Sequence, residues 1–295
     1  MRVVAIVPVH GPSPYLAGAL EALLTHDPRP DDIVVVDDGS PEPVAVPEGI
    51  RLVRRERRGG PAAAREAGLA AAPDADLVAF ADADDRWLPG KLAAQLEALE
   101  ANPDAALCFG RAIIVGPDGA PTGERWEELP AGRHEPARLG PLLFERNPIP
   151  TSSVIVRRDA LLEAGGFAGP APLGSDWDLW LRLVERGATF VCEPRAVIEY
   201  RRHPGGVTAD VAALAEANLA IRAAHRSLVP AEVAEAARRR DLVALARGRV
   251  RRRDYAGARA ALAEAAPLRG RERALALVLR VPLLRGFLGR RDPYR

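Results

Sequence analysis

Three carboxylates follow a short apolar run in the first third of the chain. Asp82, Asp84 and Asp85 come directly after Leu77–Ala81, so a buried strand is predicted to end in an acidic turn. Side chains alternate along an extended chain, which places Asp82 and Asp84 on one side. Because like charges this close repel each other, a divalent ion would stabilise them, and Mg²⁺ typically takes one or two carboxylates plus phosphate oxygens. The pattern suits equally a site for Mg²⁺ or Mn²⁺ and a solvated loop without a ligand.

Composition restricts the classes of protein that fit. The chain has 295 residues, a formal charge of +1 and 5% aromatic residues, and it has no early basic block, so nucleic acid is not an expected partner. The first apolar run, Val3–Val7, is too short for a signal peptide, and no run reaches the roughly 18 apolar residues of a membrane span. Cys108 and Cys192 lie in apolar surroundings, which favours buried free thiols. We therefore expect a cytoplasmic protein.

The elements that position the acidic turn follow an α/β order. β-Branched runs predict strands at Val3–Val9 and Ile33–Val36, a weaker strand at Arg51–Val53 and a further one at Leu77–Ala81, with helices between them. Apolar runs of this kind are typical of a mostly parallel sheet that helices cover on both faces. The carboxyl ends of parallel strands meet at one edge. His10, Asp37–Asp38 and the acidic turn should therefore lie together.

The second part of the chain is predicted to be less regular. Thr151–Val156 favours a strand, and Thr189–Cys192 and Val197–Tyr200 favour two short strands. From Val207 onward, helical periodicity predicts a helical region. Its last apolar piece, Leu275–Leu288, includes Arg280 and Arg285, which suits either an amphipathic helix on an anionic membrane or a helix packed on the core.

Four motifs, in this order, resemble those of the inverting glycosyltransferases of family 2. They are Ala5–His10, Ile33–Ser40, Pro61–Leu69 and Asp82–Asp85. The resemblance covers about residues 3–208. It implies a GT-A fold, which is a Rossmann-like nucleotide-diphospho-sugar transferase domain, followed here by the helical C-terminal region.

The resemblance also implies a domain organisation. Residues 1–115 would form the donor-binding half of the GT-A domain and residues 116–208 the acceptor-binding half, with residues 209–295 as the helical C-terminal region. The implied donor is a nucleotide-diphosphate sugar, with a UDP-sugar favoured. The acceptor would be a hydroxyl of a glycan, a lipid-linked molecule or a small molecule. The C-terminal helices could contact a membrane, which would place the protein at its inner face.

Individual positions follow from the matching motifs. The implied donor nucleotide contacts are Pro8, His10, Asp37, Asp38, Arg65 and Asp84. The implied metal ligands are Asp82, Asp84, Asp85 and His203, and the implied diphosphate contacts are Arg201, Arg202 and His203, in a loop spanning Tyr200–Gly206. Asp37 or Asp38 would accept a hydrogen bond from the base, although Asp-Asp-Gly-Ser is also a favourable turn sequence.

The implied catalytic base is Asp176. Inversion requires a group on the face opposite the leaving group to take the acceptor hydroxyl's proton, and Gly174–Trp180 matches the family's base motif. An N-cap is the structural alternative for this aspartate. Ser175 replaces the family's usual glutamate, and with Trp177 it is the implied acceptor contact. Glu66 is a second departure, since the family usually has asparagine there.

Two other functions suit parts of the pattern. A sugar-phosphate nucleotidyltransferase also combines a nucleotide-binding sheet with acids and a metal, but it usually needs a cationic glycine-rich loop after the first strand. The loop His10–Pro14 has two prolines and offers no cation, so this function ranks lower. A non-catalytic nucleotide-sugar-binding protein on the same fold is the other alternative.

Overall fold

The computed structural model describes residues 1–171, 173–203, 205 and 210–280. It divides into two units. The first comprises Met1–Gly169 and Ser175–Pro204, and the second Pro170–Gly174 and Gly205–Arg295. The predicted boundary between residues 208 and 209 lies outside the described residues, as does the part of the predicted Leu275–Leu288 helix beyond residue 280.

The described part of the first unit is built on a ten-stranded sheet. The strands are β1 (Val3–Val9), β2 (Asp32–Asp37), β3 (Arg51–Arg54), β4 (Leu77–Phe80), β5 (Arg86–Trp87), β6 (Ala105–Val115), β7 (Pro121–Trp126), β8 (Gly132–His134), β9 (Ile155–Arg157) and β10 (Thr189–Arg201). The main order is β3-β2-β1-β4-β9-β6-β10-β5, with β7 on β6 and β8 on β10. One sheet therefore contains strands from both predicted halves.

Most of the sheet runs in one direction. β1 is parallel to β2 and β4, β2 to β3, and β10 to β6. β9 is antiparallel to both of its neighbours, β4 and β6. The start of β9 therefore lies at the same edge of the sheet as the carboxyl ends of β4 and β6. The turn that precedes β9 lies at this edge too. The mixed α/β fold with a mostly parallel sheet was predicted correctly.

Three predicted strands differ in detail. Thr151–Ser153 forms a short 3₁₀ turn, and only Ile155–Arg157 continues as a strand. The two short strands predicted at Thr189–Cys192 and Val197–Tyr200 are one long strand, β10, whose pairing with β6 shifts register between Glu193 and Ala196. Pro194 lies within this shift and has no N–H to donate, so it produces a bulge without ending the strand.

Helices cover the sheet of the first unit. They are α1 (Leu16–Leu24), α2 (Gly60–Ala70), α3 (Lys91–Ala101), α4 (Pro136–Glu145), α5 (Arg158–Glu163) and α6 (Ser175–Glu185). α2 packs on β1 and β2, and α3 packs on β6 and β10. The sheet strands between them supply a core of fully buried residues such as Ile6, Val34, Phe80 and Leu107.

Close packing of α2 against the sheet gives a stability prediction at Gly68. A Cβ there would lie 2.5 Å from Cγ2 of Ile6, a stiff side chain in a buried strand. We expect Gly68→Ala to destabilise the fold by about 1–3 kcal/mol, less the gain in helix propensity. Gly18→Ala in α1 is the matched control, because nothing lies within 4 Å of its Cβ position, and it should stabilise by about 0.4–1 kcal/mol. Urea unfolding of both variants measures the difference, and equal effects would contradict the packing argument.

The second unit is helical in its described part. Its helices are α7 (Val211–Ala224), α8 (Ala231–Arg251), α9 (Tyr255–Glu264) and α10 (Gly270–Arg280). They share a core that includes Leu242, Leu262 and Leu279. A cavity of about 1070 Å³ lies among residues of this unit, with apolar walls and several arginines. None of the helices in the described ranges combines the length and hydropathy that crossing a membrane would need.

Candidate active site

The acidic turn after β4 is held by contacts from distant segments. Asp82 forms an ion pair with Arg65 of α2. Asp85 accepts hydrogen bonds from the Ser152 hydroxyl at 2.6 Å and from the Arg201 backbone N–H at 3.0 Å. Asp84 lies 2.9 Å from Nε2 of His203. The three carboxylates therefore contact three different parts of the chain.

Burial and mutual repulsion favour the neutral forms of two of these acids. Burial raises the pKa of Asp85 well above its usual value, and the charges of Asp82 and Asp84 raise it further. The pKa of Asp84 is also raised, by burial and by the charge of Asp82, although His203 opposes the change. The two acids are therefore destabilised as anions, and a cation among them would stabilise the charged cluster.

The 3₁₀ turn before β9 links the acidic turn to Asp176. The Ser152 hydroxyl, which donates to Asp85, also accepts a hydrogen bond from the Asp82 N–H at 3.0 Å. The neighbouring Thr151 donates its hydroxyl to Oδ2 of Asp176 at 2.8 Å. Consecutive residues thus contact the acidic turn and Asp176, which brings the predicted base and the predicted metal motif into one site.

Tyr200 of β10 gives independent support for this proximity. Burial raises the pKa of its phenol, and the charges of Asp85, Asp82, Asp84 and Asp176 raise it further. All four carboxylates therefore lie within electrostatic reach of one side chain. The acids that the sequence separates by more than ninety residues share a single environment.

Asp176 is oriented from one side only. Its Oδ2 accepts hydrogen bonds from the Asn147 side-chain amide at 2.9 Å and from Thr151. Within the described ranges no donor contacts Oδ1. The carboxylate is half-buried at the start of α6. One oxygen is therefore fixed by the protein, and the other is available to a substrate hydroxyl.

The predicted metal ligands are not gathered as one set. Among the described residues, no group of three or more acidic, histidine or cysteine side chains is arranged to hold an ion. Asp82 is paired with Arg65, and Asp85 is used by Ser152 and Arg201. Asp84 and His203 are the predicted ligands that contact each other. A carboxylate oxygen and an imidazole nitrogen suit Mn²⁺ or Mg²⁺ when phosphate oxygens complete the coordination.

The predicted nucleotide contacts after β1 and β2 have different environments. Asp37 is fully buried and accepts from the backbone N–H groups of Ser40 and Val44, which holds its pKa below its usual value against the opposing effect of burial. The geometry therefore gives Asp37 a structural role in the turn. His10 is exposed, with Nδ1 3.0 Å from the carbonyl oxygen of Asp38, and Pro8 is half-buried.

Asp38 fixes the start of α2. Its carboxylate pairs with Arg55 and accepts from the N–H groups of Gly59 and Gly60, where the positive end of the helix dipole favours an anion. The side chain is 3% exposed. Its predicted contact with the base therefore competes with three existing partners, which the turn sequence alone did not reveal.

The two predicted phosphate arginines are engaged within the protein. Arg201 donates to the carbonyl oxygens of Asp84 and Gly116, and its guanidinium lies 4.6 Å from the ring of Tyr15. It is the last residue of β10, so its donors reach the turns beside it. Arg202 is exposed and pairs with Glu124 of β7. Pro204 and Gly206 of the predicted loop lie outside the described residues.

The predicted acceptor contacts are buried. Ser175 is 5% and Trp177 is 4% exposed. The indole Nε1 of Trp177 donates to the carbonyl oxygen of Leu143 at 2.6 Å, which joins α6 to α4. The ring of Trp177 and its polar atom are therefore both used in packing, and acceptor contact by this residue stays a prediction.

Glu66, which departs from the family pattern, has a structural partner in this protein. Its carboxylate accepts a hydrogen bond from the Phe167 N–H and lies beside Gly166. The preceding Arg65 lies 5.5 Å from the Phe167 ring while it pairs with Asp82. Consecutive residues of α2 therefore connect the glycine turn after α5 with the acidic turn.

Several site residues were missed by sequence reasoning. They are Tyr15, Asn147, Thr151, Ser152 and Tyr200. Thr151 and Ser152 were assigned to a strand, where alternate side chains would face opposite sides. The signal that could have found them is the Pro150–Ser153 segment itself, since a proline followed by hydroxyl residues is typical of a turn.

Comparison with known proteins gives the family. The sequence profile described as "Glycosyl transferase family 2" matches residues 4–162, more than half of the chain. The chain is 32% identical over 179 residues to the "Pre-mycofactocin glycosyltransferase" of Mycobacterium tuberculosis (strain CDC 1551 / Oshkosh), a match that covers 57% of this chain and 37% of that protein. The chain therefore spans well under half the length of this curated relative.

Solved structures share the fold at low identity. S. aureus TarS 1-349 in complex with UDP-GlcNAc matches with a TM-score of 0.64 and 17% identity, over 98% of this chain and 88% of that one. The mannosyltransferase PcManGT from Pyrobaculum calidifontis, in complex with GDP-Man and Mn²⁺, matches with a TM-score of 0.57 and 20% identity, over 97% and 83%. With the motifs predicted for it arranged around one site of a GT-A fold, the chain belongs to glycosyl transferase family 2.

Proposed function

We propose that the protein transfers a sugar from a nucleotide-diphosphate donor, most favourably a UDP-sugar, to an acceptor hydroxyl with inversion at the anomeric carbon. Family membership supports sugar transfer in general. The observation that supports the finer proposal is the pair Thr151 and Ser152, which contact Asp176 and Asp85 respectively. The proposed base and the acids of the proposed diphosphate site are thereby held by consecutive residues of one turn.

Asp176 is the proposed general base. The acceptor oxygen attacks the anomeric carbon while its proton passes to Oδ1 of Asp176, and the bond from that carbon to the diphosphate oxygen breaks. Asn147 and Thr151 hold Oδ2, so the rotation of the carboxylate is restricted. Because this positioning is present before the substrate binds, little reorganisation is needed in the reaction.

The acidic turn is the proposed diphosphate side of the site. Asp84 and His203 would hold Mg²⁺ or Mn²⁺, which would supply positive charge against the departing nucleoside diphosphate. The Tyr15 ring packs against His203 in a tilted arrangement with ring centroids 5.2 Å apart, and it also contacts Arg201. These rings and the turn fix the orientation of the imidazole.

The donor nucleotide is proposed to lie along the carboxyl ends of β1 and β2. His10 is exposed there, and Pro8 and Asp38 lie beside it. PcManGT was solved with GDP-Man and Mn²⁺, and TarS with UDP-GlcNAc, which supports a nucleotide-sugar donor as the class. The preference for UDP rests on the family resemblance.

The acceptor is proposed to approach Asp176 at Oδ1, since Asn147 and Thr151 occupy Oδ2. Its class remains a hydroxyl of a glycan, a lipid-linked molecule or a small molecule. Residues 210–280 contain fifteen arginines and eight acidic residues, and this excess of positive charge supports contact with an anionic membrane surface. Such contact would place the protein at the inner face of a membrane, in the cytoplasm.

Binding of the donor should be visible before any acceptor is known. We expect a UDP-sugar with Mn²⁺ to raise Tm by about 5 °C at a concentration 100 times its Kd, since this adds about 2.7 kcal/mol to the free energy of unfolding. A thermal-shift screen of UDP-, dTDP- and GDP-sugars measures the effect, with EDTA in place of Mn²⁺ as the control.

Two results would contradict the proposed function. Absence of a shift with every nucleotide sugar would exclude a donor site of useful affinity. Release of pyrophosphate from a nucleoside triphosphate and a sugar phosphate would instead identify a nucleotidyltransferase. Slow hydrolysis of the stabilising donor would separate an enzyme from a protein that only binds it.

A further inference from the structure

A buried polar network lies behind the 3₁₀ turn Thr151–Ser153 and takes no part in the proposed chemistry. Nζ of Lys91 donates to the carbonyl oxygen of Ser153 at 3.2 Å and to the side-chain oxygen of Gln95. Nε2 of Gln95 donates to the same Ser153 carbonyl at 2.8 Å. Two side chains of α3 therefore converge on one backbone oxygen of the turn.

The position of this network is fixed from several directions. Lys91 and Gln95 are one turn apart in α3 and are 1% and 0% exposed. Gln95 also donates to the carbonyl oxygen of Cys108 in β6 at 3.2 Å, and Nζ of Lys91 lies 4.6 Å from the centre of the Trp87 ring. The turn is therefore connected to α3, β5 and β6 through these two side chains.

Lys91 is an unusual residue to bury. It is the only lysine in the sequence, and among the described residues no carboxylate forms an ion pair with it. Burial lowers its pKa to about 7, with Cys108 opposing the change, and the charge of Lys91 helps to lower the pKa of His26. A buried amine without a counter-ion costs stability, whereas an apolar side chain would fill the same space without that cost.

The Ser153 carbonyl needs a partner because of where the turn lies. Within the turn, the Ser153 N–H bonds to Pro150 and the Val154 N–H bonds to Thr151, at 2.9 and 3.0 Å. Neither of these bonds uses the Ser153 carbonyl oxygen, which accepts its hydrogen bonds from Lys91 and Gln95 of α3. Since Ser153 is fully buried, loss of the α3 donors would leave an unsatisfied acceptor, and the turn would have to move to satisfy it.

We infer that Lys91 and Gln95 are positioning residues that hold the 3₁₀ turn so that Thr151 orients Asp176 and Ser152 orients Asp85. The inference rests on the proposed function for its link to catalysis. It assigns no substrate contact to either residue. A displacement of the turn would move the base relative to the diphosphate side, and a misplacement of about 1 Å can cost about 10²-fold in rate.

Two variants test this without removing the same interactions. Lys91→Met keeps the length of the side chain but loses both of its hydrogen bonds. Gln95→Glu keeps an acceptor for Lys91 but loses the donor to Ser153. We expect each to lower kcat by about 10- to 100-fold, with KM for the donor changed less than about threefold. We also expect faster amide hydrogen exchange in residues 147–157 than in the wild type, relative to β1.

Leu99→Ala in the same helix is the control. Its side chain is fully buried and apolar, so it should lower the unfolding midpoint while kcat and the relative exchange of residues 147–157 stay as in the wild type. If Lys91→Met and Gln95→Glu behave like Leu99→Ala in kcat and in exchange, the network is only structural and the inference is wrong. If Lys91→Met does not fold, the comparison of Gln95→Glu with Leu99→Ala still decides between the two roles.

The same measurements distinguish this failure from failure of the proposed function. If the wild type transfers no sugar with any donor, the proposed function fails, and hydrogen exchange still shows whether α3 holds the turn. If the wild type is active and Asp176→Asn is not, but the two α3 variants keep their kcat and their slow exchange, the positioning role alone is refuted.

Discussion

Replacing Asp176 by asparagine should lower kcat by roughly 10²- to 10⁴-fold, which is the usual contribution of a general base. Asparagine has nearly the same size, and its amide oxygen can still accept from Asn147 and Thr151, the present partners of Oδ2. The fold and donor binding should therefore be kept. Steady-state transfer rates and the thermal shift produced by the donor would measure the two properties separately.

Asp178→Asn provides the matched control for this variant. It removes the same charge from the same helix, two residues away, but Asp178 is 1% exposed and pairs with Arg182. We expect this control to lose stability and to retain kcat. Near-normal turnover of Asp176→Asn, or an equal loss of kcat in Asp178→Asn, would exclude the assignment of the base.

Replacing Asp84 by asparagine should lower kcat/KM by at least about 10²-fold, because a metal ion supplies several kcal/mol against the charge of a leaving group. Asp84 and His203 are the predicted ligands that contact each other. The Mn²⁺-dependent part of the thermal shift with UDP should disappear with the activity. His203→Asn should have a smaller effect in the same direction, and the double variant should be no worse than roughly the stronger single variant.

Asp74→Asn is the control for a lost surface charge, since Asp74 is exposed in the loop before β4. It should behave as the wild type in both assays. Full activity of the wild type in EDTA, or an unchanged response of Asp84→Asn to Mn²⁺, would show that the acidic turn works without an ion.

The fold was predictable because its signals are local. Runs such as Ile33–Val36 are apolar at every position, which indicates a strand covered on both faces. The meeting of His10, Asp38 and Asp82 at one edge then follows from parallel pairing. The Asp38 N–H donates to the Val9 carbonyl at 2.8 Å, as expected for neighbouring strand ends.

The support of the site was not predictable from these signals. Thr151 and Ser152 act through a turn that only the antiparallel insertion of β9 places beside Asp82. Strand direction is not visible in the composition of a three-residue strand. The burial of the Lys91 amine is likewise not visible in the sequence, because it depends on Gln95 and on Ser153, which is 62 residues further along the chain.

Asp37 and Trp177 show the reverse case, in which predicted site residues are buried in the structure. Their residue types suit ligand contacts, and each lies next to another predicted site residue. Both are buried, however, and their polar atoms are already bonded to backbone groups. A motif therefore indicates a region of the chain, while packing decides how far each side chain within that region is exposed.

The bond between the Arg201 N–H and Asp85 spans 116 residues, which has a consequence for synthesis on the ribosome. Asp82, Asp84 and Asp85 leave the exit tunnel long before β10 exists, so Asp85 lacks the Arg201 N–H until β10 has added to the sheet. Contacts of such large sequence separation form slowly. The nascent chain should therefore acquire its β1–β4 core first and gain affinity for donor nucleotides only after β10 has left the ribosome and joined the sheet.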